Sequence, residues 1–342
     1  MNLDSNNGIL LMRAAEYYTK QEDGSVKCLL CPNFCVLNEG QNGKCLGRGV
    51  RGGEMRLLNY GRIVAENLDP IEKKPLYHFY PTGVIYSVGS YGCNLKCRFC
   101  QNSDISQFEQ PSVMASPQRI VQKAFNLVGN IGVAFTYNEP GIWFEFICDC
   151  ALLLREAGLK TVLVTNGHLC HEPFKRLCEI SDAMNIDLKA FSQKFYQDEC
   201  QGDLETVKRN IATAVAAGIH VELTNLVIPG LNDDEDEFIA MVDWIAGLSD
   251  ELVLHISRYF PRYLETAPAT PPETIKRFVE IAGKKLKYVY AGNLGIAQNT
   301  LCPNCHEVLI ERTGYNTCIC FEGQKCSCGQ DLPIILEKKA KI

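Results

Sequence analysis

Ser87-Val88-Gly89-Ser90-Tyr91-Gly92-Cys93-Asn94-Leu95-Lys96-Cys97-Arg98-Phe99-Cys100 is the stretch on which the fold turns. It begins in an apolar, β-branched run (84–88), passes through a glycine-containing loop, and presents three cysteines as C-x3-C-x2-C. Runs of the same kind recur at 131–136, 161–165, 183–188, 220–227 and 252–257, with a further candidate at 287–290. They read as buried parallel strands. Helical stretches lie between them. Ser116-Pro117 opens one with a cap residue and an N1 proline, and Ile120, Val121, Ala124, Leu127 and Val128 keep helical spacing up to Gly129. Leu204, Val207, Ile211, Ala214 and Val215 mark another, ended by Gly218. A third starts in the acidic turn after Asn232, where carboxylates suit the positive helix end, and Thr270-Pro271-Pro272-Glu273 reads as a capping box for a fourth. Strand–helix alternation of this length means an α/β fold whose loops after the strand C-terminal ends form the active face. Periodicity alone leaves open sheet and partial barrel both standing.

The chain has 342 residues, enough for one large α/β unit with appendages. Hydrophobic residues make up 46% and charged residues 22%, which excludes a mainly disordered chain. The 34 basic and 40 acidic residues leave a net charge of −6, so there is no global basic field for nucleic acid or an anionic membrane surface. No apolar run approaches the ~18 residues of a membrane span, and the opening MNLDSNNGILLMRAAEYY lacks the pattern of a secretory signal. A cytoplasmic location is expected. There, the 18 cysteines point to metal or redox chemistry rather than disulfides.

Three thiolates at 93, 97 and 100 can hold three irons of a [4Fe–4S] cluster, leaving one iron without a nearby cysteine. Such an open iron can accept the amine and carboxylate of S-adenosylmethionine (SAM). The competing reading is a zinc knuckle with a distant fourth ligand. The flanks carry two further sets. Cys28-x2-Cys31-Pro-x2-Cys35-x9-Cys45 is a complete set of soft ligands for Zn²⁺ or for a second, closed iron–sulfur cluster, and spacing does not choose between them. Cys302-x2-Cys305 and Cys326-x-Cys328 flank an apparent hairpin, VLIERTGYNT, and read as a zinc ribbon. The shortened second knuckle leaves Cys318 or Cys320 as a candidate ligand instead.

The C-x3-C-x2-C triplet with Phe99 before its third cysteine resembles the signature of the radical SAM superfamily. Over nearly the full length, CLLCPNFC with GQNGKC, DPIEKKPLYHF, GCNLKCRFCQN, FTYNEP, TNG, DLK, IPGLND, YAGN and CPNC resemble the AmmeMemoRadiSam system radical SAM enzymes. These are relatives of the pyruvate formate-lyase activating enzymes. The resemblance implies a partial (β/α)6 TIM-like barrel over 81–294, a cysteine-rich N-terminal extension over 1–80 and a zinc-ribbon-like tail over 295–342. It implies reductive cleavage of SAM to a 5′-deoxyadenosyl radical. Glu139, in Tyr137-Asn138-Glu139-Pro140, would accept a hydrogen bond from the SAM ammonium. Phe99, Asn138, Asn166, Asp187, Lys189 and, more loosely, His255 would also face the cofactor. Lys189 would meet a carboxylate, oriented by Asp187, and Arg258 would clamp a substrate carboxylate. His78 reads as a packing residue. Implied partners are a one-electron donor such as flavodoxin or ferredoxin, and Memo-like and AMMECR-like proteins. The chain departs from the family at Ser103-Asp104, where Trp-Glu is expected, and at Asn138-Glu139, where the activating enzymes have a double glycine. Two other functions stay open: an activase that installs a glycyl radical on a partner protein, and a non-catalytic iron–sulfur or zinc electron carrier.

Overall fold

A computed structural model describes residues 12–336. Most of the opening segment read for an export signal lies outside them. Eight strands form one sheet in sequential order: β1 (Ala65–Pro70), β2 (Val84–Gly89), β3 (Asn130–Phe135), β4 (Lys160–Thr165), β5 (Ala183–Asp187), β6 (His220–Val227), β7 (Val253–Arg258) and β8 (Val289–Gly292). β2 to β8 are parallel, and β1 runs antiparallel to β2, with Ala65 opposite Gly89. The edges β1 and β8 do not pair, so the sheet is open. The ends of β3 to β7 nevertheless line a single cavity, the arrangement of a partial barrel. The edge strand β1 comes from the segment expected to be an N-terminal extension.

Amphipathic helices cover the sheet: α1 (Pro117–Asn126), α2 (Phe144–Glu156), α3 (His171–Ile180), α4 (Leu204–Ala216), α5 (Glu235–Leu248) and α6 (Pro272–Ala282). The caps follow the sequence closely. Ser116, Asp203 and Asp234 accept the N–H of Arg119, Thr206 and Glu237 at 3.2, 2.8 and 2.9 Å. The capping box at Thr270 does not form. The Thr270 hydroxyl donates to the Val227 carbonyl at 2.6 Å and accepts the Tyr259 N–H at 3.0 Å, which ties the end of β6 to the loop after β7.

Below the cavity the strands carry an inward polar layer. Glu222 on β6 is fully buried and collects four donors: the N–H groups of Tyr77 and His78 at 2.9 and 2.7 Å, and ring nitrogens of His220 and His255 at 2.9 and 2.6 Å. Burial opposes its ionisation, but the His220 and His255 bonds hold its pKa well below the usual carboxylate range. The C-terminal tail seals this end. Arg312, 1% exposed, donates to the Tyr77 carbonyl at 2.6 Å and to Thr300 Oγ1 at 2.7 Å. The tail itself is a three-stranded antiparallel sheet (Thr300–Leu301, Val308–Thr313, Asn316–Ile319) with its hairpin turn at Gly314, as the VLIERTGYNT pattern suggests. Among the described residues no helix is long and apolar enough to cross a membrane.

Candidate active site

The three cysteines leave β2 through Gly92, whose φ is +92° and where a Cβ would overlap the Cys45 carbonyl oxygen. Only glycine fits that turn and that approach. The loop is then laced to the segment Tyr196–Cys200: Lys96 N–H donates to the Cys200 carbonyl at 2.8 Å and Arg98 N–H to the Glu199 carbonyl at 3.0 Å. Cys93, Cys97 and Cys100 all reach one cavity of about 280 Å³ at the strand ends. Burial pushes the thiols of Cys93 and Cys100 up. Cys97 is lowered, chiefly by a hydrogen bond from the Cys200 thiol, with the Lys189 charge acting in the same sense. Cys200 is therefore a fourth cysteine beside the triplet. Sequence reading found none there, because a separation of a hundred residues carries no signal.

The loops after β3 and β4 meet at Glu139. Its Oε1 accepts Gly141 N–H and Thr165 Oγ1–H, each at 2.7 Å, and its Oε2 accepts Asn166 N–H at 2.8 Å. Glu139 thus caps the turn Pro140–Trp143 while its carboxylate lines the cavity. Burial raises its pKa to about 7 against those hydrogen bonds. One lone pair of Oε2 is left for a ligand. Asn166 continues the network: its Nδ2 donates to Asn94 Oδ1 at 2.9 Å and points at Cys93 Sγ at 3.6 Å. Asn138 pins the cysteine loop, accepting Ser90 N–H at 3.1 Å and donating to the Gly92 carbonyl at 3.0 Å.

Asp187 ends β5, Lys189 follows it, and the two form an ion pair at 2.8 Å inside the same cavity. Burial alone pulls Lys189 down, yet the Asp187 carboxylate and the thiols of Cys97 and Cys200 hold its pKa well above the ordinary value. Two asparagines fix the backbone that presents it. Asn225 donates to the carbonyls of Leu188 and Lys189 at 2.9 and 3.2 Å, and Asn232 of the IPGLND turn donates to the Lys189 carbonyl at 2.7 Å. Phe99 lines the cavity under Lys189, whose Nζ is 6.0 Å from its ring centre.

Two expected site residues stand elsewhere. His255 lies one layer below Ser257, in the Glu222 network, with its ring stacked on Tyr290 at 5.6 Å. Its position on β7 gives it an inward direction but too little height to meet the cavity. Arg258 turns away, its Nε bonded to the Thr270 carbonyl at 2.6 Å and its guanidinium over the Phe260 ring. The far wall of the cavity is instead Thr224, Leu226, Ser257 and Asn293, none of which stood out in the sequence as a ligand. Ser103 and Asp104 belong to the helical turn Ser103–Ser106, which offers Ser106 to the cavity and to Cys100 Sγ at 3.2 Å.

Of the flanking cysteines, Cys302, Cys305, Cys326 and Cys328 bring their sulfurs within 4.8 Å of one another, a grouping able to bind a metal ion. Cys318 and Cys320 are outside it and exposed, so the short C-x-C knuckle itself supplies the second pair of the grouping. Cys28, Cys31, Cys35 and Cys45 line a separate small cavity behind the active-site loops.

A family model described as the radical SAM superfamily matches residues 87–244, from the end of β2 into α5. This part of the chain is a radical SAM domain. An uncharacterized protein of Methanocaldococcus jannaschii is 40% identical over 337 residues, covering 95% of this chain and 100% of that one. A GTP 3′,8-cyclase of Bradyrhizobium diazoefficiens is 24% identical over 258 residues, 67% of this chain and 74% of the cyclase. A pyruvate formate-lyase-activating enzyme of Staphylococcus aureus strain USA300 is 24% identical over 230 residues, 59% of this chain and 91% of that enzyme. The crystal structure of Streptococcus suis SuiB bound to S-adenosylmethionine shares the fold, with a TM-score of 0.50 and 15% identity over 65% of this chain and 53% of SuiB. Radical SAM proteins are enzymes, and the family implies a [4Fe–4S] cluster and SAM. The donor set suits them: three soft sulfurs at one end of a cavity whose other walls carry a carboxylate, an ammonium and amide groups.

Proposed function

We propose that Cys93, Cys97 and Cys100 hold three corners of the catalytic cluster and that Glu139, Asn166, Asp187 and Lys189 seat SAM beside it. When bound, cluster and SAM supply a one-electron cleavage that yields a 5′-deoxyadenosyl radical for hydrogen abstraction. The protein's own part is positioning and charge. Glu139 offers a carboxylate to the ammonium, with Thr165 and the Gly141 and Asn166 N–H groups holding it in place. Asn166 ties that carboxylate to the cysteine loop through Asn94. Lys189, paired with Asp187, faces the cavity as the cation for a carboxylate of SAM or substrate. Thr224, Ser257 and Asn293 are hydrogen-bonding groups for the substrate on the far wall. The observation that carries this reading is that one cavity unites the cysteine triplet with Glu139, Asn166, Asp187 and Lys189.

The same reading assigns Zn²⁺ to the C-terminal set. Its closest sulfur pairs are 3.6 and 3.5 Å apart, near the ~3.8 Å of a tetrahedron with Zn–S bonds of ~2.3 Å. It takes 81–294 as the catalytic core, flanked by 1–80 and 295–342, in a cytoplasmic enzyme reduced by flavodoxin or ferredoxin. Memo-like and AMMECR-like proteins are the partners that the family resemblance suggests. Anaerobic incubation of the iron-replete protein with dithionite and SAM tests the function: 5′-deoxyadenosine is the expected product. Its absence at full iron content favours a carrier instead.

A further inference from the structure

We propose that Cys28, Cys31, Cys35 and Cys45 hold a second [4Fe–4S] cluster, closed by four protein ligands and packed against the back of the active-site loops. This inference stands apart from the SAM reading, since it concerns other residues and another metal centre. All four cysteines line one small cavity together with Asn33 and Arg48. Three are buried and Cys35 is half-buried. The backbone is bent to aim them: Phe34 and Leu46, the neighbours of Cys35 and Cys45, have φ of 42° and 64°. Non-glycine residues hold such angles only where the surroundings enforce them.

Arg48 is the second, independent observation. It is 1% exposed, its terminal nitrogens are taken by the Glu16 carbonyl and Glu145 Oε1, each at 2.6 Å, and it lines the cavity. Among the described residues its Nε, also buried, has no partner at hydrogen-bond distance, and the Cys28 and Cys45 thiols face its charge. A cationic N–H in that position suits a sulfur-rich anionic occupant, which accepts the bond and is balanced by the charge.

Sulfur spacing separates cluster from zinc. A single zinc ion draws four sulfurs to ~3.8 Å of one another, and the C-terminal set has that compactness. Among the described residues, neither the N-terminal four nor the catalytic triplet gathers all its sulfurs so closely. A four-iron cluster gives each thiolate its own iron and needs the wider ring. The N-terminal set therefore groups with the catalytic cysteines.

The two centres share a wall. Asn33 Nδ2 lies 3.5 Å from Cys31 Sγ and donates to the Asn94 carbonyl at 2.7 Å, next to Cys93. The Cys45 carbonyl abuts Gly92, and Cys170 N–H, after the TNG loop, donates to the Leu30 carbonyl at 3.0 Å. A cluster here would stiffen the loops that present Cys93, Glu139 and Asn166.

The test uses the full chain with Cys93→Ala, Cys97→Ala and Cys100→Ala combined, reconstituted anaerobically with iron and sulfide. It is expected to keep about four irons and four sulfides, and a dithionite-induced [4Fe–4S]⁺ EPR signal that SAM does not change. Adding Cys28→Ala and Cys31→Ala removes that iron and leaves the C-terminal zinc. The otherwise unaltered chain provides the second measurement: about eight irons and one zinc, falling to about four irons in Cys28→Ala/Cys31→Ala with a SAM-sensitive signal retained. About four irons and two zinc ions in the unaltered chain, or no iron in the triple variant, would overturn the proposal.

Discussion

Replacing Glu139 with Gln keeps the shape of the side chain and removes its charge, and the structure separates two consequences. Gln can place its oxygen where Oε1 stands and keep the bonds from Gly141 and Thr165, each 2.7 Å long. Its NH₂ group then faces the Asn166 N–H, which Oε2 now accepts at 2.8 Å. Two donors meet, and one buried N–H loses its partner, at a cost of ~1–3 kcal/mol in stability. The second consequence concerns the ligand. Loss of a charge-assisted hydrogen bond to the SAM ammonium costs ~1.5–3 kcal/mol, or roughly 10- to 150-fold in Kd. Urea unfolding reads the first quantity, and anaerobic calorimetric titration of the reconstituted protein with SAM reads the second. Iron content is expected to stay unchanged, because Glu139 is no ligand of the metal. A variant that loses stability but binds SAM within twofold of the parent would mean that Glu139 only caps the Pro140–Trp143 turn, and the reasoning about the cofactor seat would fall.

Other outcomes follow from single contacts. His255→Gln is expected to cost ~1–3 kcal/mol of stability, through the bond to Glu222, and to leave SAM affinity within twofold; a large loss of affinity would return His255 to the site. His168 is buried with Nε2 accepting the Asp203 N–H at 3.1 Å, and burial lowers its pKa from 6.5 to about 4. The unfolded chain therefore takes up that proton first, so stability is complete above pH 6.5 and falls as pH drops towards 4, by up to roughly 3 kcal/mol. His168→Gln, whose amide oxygen can still accept the Asp203 N–H, is expected to flatten the urea-midpoint profile over that range; an unaltered slope contradicts the assignment. In Cys305→Ser, or after chelation, zinc is lost and the amides of Val308–Thr313 lose exchange protection while β3 to β6 keep theirs, because the tail's own apolar core is a handful of side chains. Tail amides that stay protected without metal would contradict a metal-dependent tail.

The parallel strands stood out in the sequence because burial on both faces demands uninterrupted β-branched runs, and 220–227 coincides with β6 at both ends. β1 left no such trace. Ala-Glu-Asn-Leu-Asp-Pro exposes Glu66, Asn67 and Leu68 in a row at the sheet edge, so its pairing is carried by backbone bonds rather than by side-chain pattern. α2 was hard to see for the opposite reason: Phe144, Phe146, Ile147, Cys148, Cys150 and Ala151 are all buried, which blurs any polar stripe. The site followed the same division. Cysteines, Glu139 and the Asp187–Lys189 pair sit at strand ends, where local sequence announces them. His255 misled because period two fixes the face of a strand but not the height of a side chain along it. Glu222, Cys200 and Asn33 act through partners far away in the chain, and no local pattern encodes those meetings. Asn225 and Asn232 were visible as residues, but their work, holding the Lys189 carbonyl, is visible only in three dimensions.

Cys200 gives the central claim its sharpest trial, since its thiol stands beside Cys97 and could complete the cluster's ligand set. Mössbauer spectra of Cys28→Ala/Cys31→Ala protein, loaded with enriched iron and compared with and without SAM, read each iron of the remaining cluster. One iron is expected to be distinct from the other three and to shift when SAM is added, in the presence or absence of the Cys200 thiol. Four thiolate-bound irons that ignore SAM, with the fourth site released only by Cys200→Ala, would contradict the account.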